Sequence, residues 1–272
     1  MKSQWMPKAF ALLITAGLSV FFFIHLSGTD GSDAGKLPFS GKTLELLVGS
    51  ASKPATEEAA KAFEKKTGAK VYLHFGGSGK MLSQMKLSGR GDIYFPGSSD
   101  YMELAKREKL VLARTEKIVA YLIPAINVPK DNPKGIQNLD DLAKPGVRIG
   151  IARPDAVCLG LYAAEVFETA GLSSQIRPNI VTNSPSCAKT ALLVSLGSVD
   201  AIIGWRVFHH WDPEHITLVP LARSRVPRIG YIPIAVSSCS KEPELAEAFI
   251  EFVRSSEGQA IFGKWNYLTS EE

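Results

Sequence analysis

From Leu44 onward, short aliphatic or β-branched runs alternate with segments of helical period, and this alternation restricts the fold more than any other feature. Leu44–Val48, Lys70–Phe75 and Asp92–Phe95 read as strands. Between them, one helix opens with Pro54 in its first turn and stops at Gly68. A second helix carries Met81, Leu82, Met85 and Leu87, and a third spans Tyr101 to Lys106. The pattern resumes with strands at Val147–Ile151, Ile180–Thr182 and Ala201–Trp205, separated by helices near 159–170 and 188–196. A last helix sets Leu245, Phe249, Phe252 and Val253 on one face. Such an order predicts an α/β fold of mostly parallel sheets flanked by helices.

Two long apolar stretches, 118–128 and 229–236, bracket the middle block. The simplest topology makes them crossovers. Residues 43–122 plus 229–268 then build one lobe and 123–228 the other, with a cleft between them and hinge closure as the expected motion.

Ahead of this lies a basic, apolar, polar segment: Lys2 and Lys8, an apolar run from Ala9 to Leu26, then SGTDGSDAGK. That layout marks residues 1–34 as a signal peptide, with cleavage expected after Ala34, or as a membrane anchor, since the run is long enough to span a bilayer. Residues 35–42 read as a linker. Either way the chain is exported, to a periplasmic or other extracytoplasmic compartment. The formal charge of +4 comes from scattered Lys and Arg, which suits attraction of anions and argues against a nucleic-acid partner.

In sheets of this kind ligands bind beyond the carboxyl ends of strands, where loops open helices. Four loops qualify: Gly49–Lys53, Gly76–Lys80, Arg153–Gly160 and Asn183–Cys187. Ser50, Ser52 and Ser78 supply hydroxyls, and each helix start offers unpaired amides, the standard means of holding a compact anion without a full ion pair. Gly76–Lys80 is not a nucleotide loop, because His74 and Met81 stand where that pattern needs Gly and Ser/Thr. No HExxH, GxSxG or CxxC occurs, so no enzyme and no separate metal or cofactor is expected.

The segments FGGSGKMLSQM, GDIYFPGSSDYM, LAKPGVRIGIARPDA, GLYAAEVFETAGL, VDAIIGW and the C-terminal IPIAVSSCSKEPELAEAFIEFVRSSEGQAIFGKWNY together resemble the molybdate/tungstate-binding components of ABC transporters. The resemblance covers roughly residues 43–267. It implies a two-lobed type II periplasmic-binding fold with two hinge crossovers. It also implies a tetrahedral oxyanion, molybdate or tungstate, between the lobes, a monomeric protein, and a membrane permease as partner. By the same resemblance the anion's hydroxyl ligands would be Ser78 and one of Ser50 or Ser52. Amides near Leu159 and Cys187 would complete the set, and Trp205 falls at an aromatic position of the family site.

Arg153 and Arg206 depart from the family pattern. If they face the cleft they favour a more highly charged anion; otherwise they pair with surface carboxylates. Cys158 and Cys187 lie in two ligand loops, where a disulfide is the expected arrangement; free thiols or a thiol nucleophile are the alternatives. Rival functions are capture of sulfate, phosphate or a small organic anion, and a membrane-tethered sensor. An exported hydrolase using Ser78 or Cys158 is a further rival, whose mark would be His74 bonded to Ser78.

Overall fold

The computed structural model describes residues 37–270. The leader-like segment, the cleavage point after Ala34 and the first two linker residues lie outside the described residues.

The chain lays down β1 (Thr43–Gly49), α1 (Lys53–Thr67), β2 (Lys70–Gly76), α2 (Ser78–Ser88), β3 (Ile93–Phe95), α3 (Ser99–Arg107) and β4 (Lys117–Leu122). Pro54 sits in the first turn of α1, and Gly68 ends that helix with φ +75°, a conformation that suits glycine. The middle block follows as β5 (Pro124–Pro129), β6 (Ile149–Ala152), α4 (Cys158–Thr169), α5 (Ser173–Ile176), β7 (Ile180–Ser184), α6 (Cys187–Ser195), β8 (Ala201–Trp205), α7 (Phe208–Trp211) and β9 (Ile216–Pro220). The chain then returns through β10 (Gly230–Val236) and finishes with α8 (Pro243–Arg254) and α9 (Ser256–Lys264).

These strands form two five-stranded sheets, ordered β2-β1-β3-β10-β4 and β7-β6-β8-β5-β9. The parallel pairings are β1 with β2 and β3, and β6 with β7 and β8. In each sheet one strand is reversed: β10 runs against β3 and β4, and β5 against β8 and β9. Both reversed strands are the first to arrive from the other sheet, and both occupy the slot next to an edge. The halves of the molecule thus share one topology, which no repeat in the sequence announces. This is the two-lobed α/β architecture expected from the alternation of elements.

Two details differ from that expectation. The apolar stretch 118–128 is two strands rather than one, because the chain leaves the first sheet after Leu122 and joins the second at Pro124, with Ile123 as the crossing residue. The return crossing is the irregular segment 221–229, and β10 lies wholly in the first sheet. The strand β9 was not anticipated. It is a short edge strand ending at Pro220, with Ile216 and Val219 buried and the rest partly exposed, so it shows neither a long apolar run nor clean alternation.

One buried cluster extends from β1, α1 and α8 of the first lobe through to Leu159, Tyr162, Trp205 and Phe208 of the second. A smaller cluster around Ile126, Ile149, Phe167 and Ile203 fills the far side of the second lobe. Helix α8 is tied in by Phe249, fully buried and edge-on to Phe63 of α1 at a centroid distance of 5.2 Å. Cutting this pair should leave a cavity that two rigid helices cannot close. We expect F249A to lose about 3–5 kcal/mol of unfolding free energy, measured as a lowered urea midpoint.

Candidate functional site

Local sequence sets the site because three helices begin in the loops that follow parallel strands of the two sheets. α2 starts at Ser78 behind β2, α4 at Cys158 behind β6, and α6 at Cys187 behind β7. Ser186 caps α6 by accepting the Lys189 amide at 3.3 Å. The Tyr94 hydroxyl donates to the Ser78 carbonyl at 2.9 Å and fixes the first turn of α2.

The two lobes touch at these helix starts. The Gly79 amide donates to the Ala156 carbonyl at 3.0 Å, and the Ala188 amide donates to Ser50 Oγ at 3.1 Å. Gly77 is pressed between both loops of the second lobe. A β-carbon there would fall 2.8 Å from the Ala156 oxygen and 2.9 Å from the Pro185 oxygen, so the approach requires glycine. The conformation is closed.

At the centre of this contact lie groups that favour negative charge. Cys158 and Cys187 are buried free thiols with their sulfurs 4.0 Å apart. The neighbouring Cys187 thiol, then the Ser78 hydroxyl and the Leu159 amide, hold the Cys158 thiol below the usual range despite burial. Cys187, paired with Cys158 and fully buried, is pushed up instead. Ser78 Oγ meanwhile accepts the Gly97 amide at 3.0 Å, leaving its own hydrogen for the centre. The Trp205 indole is fully buried beside Cys187, and its Nε1–H has no partner of hydrogen-bond geometry. Its ring packs edge-on against Tyr162 at 4.9 Å. Donors from both lobes therefore converge on one buried point with spare capacity.

Among the residues singled out from sequence, Ser50, Ser78, Leu159, Cys187 and Trp205 are brought to the buried lobe contact. Ser52 is not. Its hydroxyl accepts from Thr56 at 2.9 Å inside the first lobe, so Ser50 is the serine of that loop that reaches across. Arg153 stays half-exposed in an ion pair with Asp155, its Nε 3.1 Å from the carboxylate. Arg206 follows Trp205 but lines a different cavity, described below. The two cysteines are adjacent as expected but unbonded. His74 pairs with Glu45 at 2.8 Å and does not reach Ser78. Two contributors escaped the sequence reading: the Gly97 amide, and Ser98, fully buried with a hydroxyl that has no partner. The GSSD run after β3 is the available signal, a hydroxyl-rich loop that opens a helix.

Residues 44–268 match the family of bacterial extracellular solute-binding proteins. The chain belongs to that family. Among relatives of this solute-binding protein, a binding protein of Haemophilus influenzae is 27% identical over 225 residues, 83% of this chain and 90% of that protein. A sulfate-binding protein of Synechococcus elongatus is 26% identical, covering 97% of this chain and 83% of that protein. The periplasmic molybdate-binding protein of Azotobacter vinelandii shares the fold, with a TM-score of 0.74 at 18% identity over 84% of this chain and all of that one.

The solute-binding protein also carries an ion bridge across its lobes. Arg228, in the return crossing, donates to Glu165 of α4 at 2.7 Å and reaches Asp100 of α3 at 3.1 Å. Its guanidinium lies 4.1 Å from the Tyr162 ring, the ring that supports Trp205. Each partner is about a third exposed, so the bridge orients the lobes more than it stabilises them.

The closed contact has a direct readout. Cys239 is partly exposed while Cys158 and Cys187 are buried. In the purified protein a maleimide should label Cys239 first. G77A should hold the lobes apart and expose the other two, seen by mass spectrometry as two further adducts and by X-ray scattering as a larger radius of gyration.

Proposed function

We propose that this chain is the extracytoplasmic capture component of an ABC transporter. Its cargo is a small tetrahedral oxyanion, of the molybdate or tungstate kind, held where the lobes meet. One observation carries the reading: hydroxyl, amide and indole donors of both lobes converge on a single buried point, and that point already draws a thiol toward its anionic form. A buried cluster rich in donors and free of cationic side chains suits a compact anion that must later be released. The ligand set is Ser50, Ser78, Trp205 and the amides of Leu159 and Cys187. Closing the lobes encloses the anion and presents the loaded form to a permease.

The relatives named above supply the candidate cargoes, molybdate and sulfate, and the cysteines bear on the choice between them. Two sulfurs at the centre make the lining softer and more polarisable than hydroxyls alone, which favours the larger, more polarisable oxometallates.

Calorimetry of the purified protein with molybdate, tungstate, sulfate, phosphate and selenate tests this directly. One anion should bind with a stoichiometry of one and, at about a hundred times its Kd, stabilise the fold by about 2.7 kcal/mol. S78A should weaken that anion by about tenfold or more, the worth of one hydrogen bond to a charged group. If none of the five gives heat or a thermal shift, the oxyanion reading fails; if sulfate alone binds, the oxometallate assignment fails.

A further inference from the structure

A cavity of about 430 Å³ opens at the hinge and shares no lining residue with the cluster of donors at the lobe contact. Every residue that lines it except Arg206 belongs to one of the two crossings between lobes: Ile123 to the first, and the remainder to the segment 221–229. Three arginines line it, Arg206, Arg223 and Arg228. Arg228 is committed to Asp100 and Glu165. Arg206 and Arg223 have no carboxylate within 4.0 Å among the described residues, so the three arginines outnumber the two carboxylates on Arg228 and the cavity keeps a net positive charge. Ile123, Leu221, Val226 and Ile229 give it an apolar wall.

Charge and shape together specify a ligand class. Guanidinium forks bind carboxylate and phosphate oxygens in pairs, and two of them on one cavity select a small anion over a neutral solute. An apolar wall adds affinity only for a ligand that carries hydrocarbon beside its charge. The volume lies within the range of ordinary small-molecule sites.

We propose that this cavity is a second anion site, for a small organic phosphate or carboxylate with an apolar portion, and that its occupancy biases the opening of the lobes. The bias follows from position. Opening must change the backbone at Ile123 and across 221–229, so a ligand seated on both crossings contacts the two conformations differently and shifts their balance. Because the cavity and the donor cluster are separate, this site stands or falls independently of the cargo assigned above.

Phenyl phosphate is the probe, with inorganic phosphate as the charge-only control, both titrated calorimetrically into the purified full chain. Phenyl phosphate should bind saturably, more tightly than inorganic phosphate, and equally well in S78A. Saturating molybdate should not displace it, though either ligand should alter the other's affinity by the same factor. R206A/R223A should weaken phenyl phosphate by about tenfold or more and leave anion binding at the lobe contact unchanged. Arg223 is exposed, so R223A alone serves if the double variant unfolds. Absence of saturable binding, equal binding to the arginine variants, or competitive displacement by molybdate would each overturn the proposal. A molybdate response lost in S78A but intact in R206A/R223A separates failure here from failure of the cargo reading.

Discussion

Among the described residues only two covalent crossings join the two lobes, Ile123 and the segment 221–229, and the rest of the structure is arranged around that economy. Each crossing delivers a reversed strand into the next-to-edge slot of a sheet whose other strands run together. The parallel strands then place their carboxyl ends, and the helix starts that follow them, at the opposing faces of the two lobes. The amides at those helix starts meet there because strand direction leaves them nowhere else to point.

Much of this was legible in the sequence, and the limits have physical causes. Alternation of strands and helices gave the layers, since apolar period is a local property written directly in residue order. Gly77 and Ser78 stood out in the sequence as a glycine-rich turn before a helix, and the structure sets that turn at the lobe contact. The break at Ile123 did not stand out, since a residue crossing between sheets is as apolar as its neighbours. β9 was hidden by its position at an edge, where burial asks for little. Side-chain direction was the other blind spot. Arg153 and Arg206 flank the site in sequence, yet one pairs with Asp155 at the surface and the other turns toward the hinge.

The family likeness and the geometry agree on a clamshell that holds a solute, and differ in texture. Sulfur and indole stand at the centre here. Indole donates and cannot accept, so Trp205 suits an anion without a proton to offer. The groups around Cys158 hold its thiol below the usual range where burial alone would push it up.

Both of those sulfurs belong to one lobe. Joining them in an oxidising compartment would staple two loops of a single jaw while leaving the jaws free to swing. The molecule could keep its mechanical cycle in either redox state, and only the grip, the number and kind of donors facing the cargo, would change.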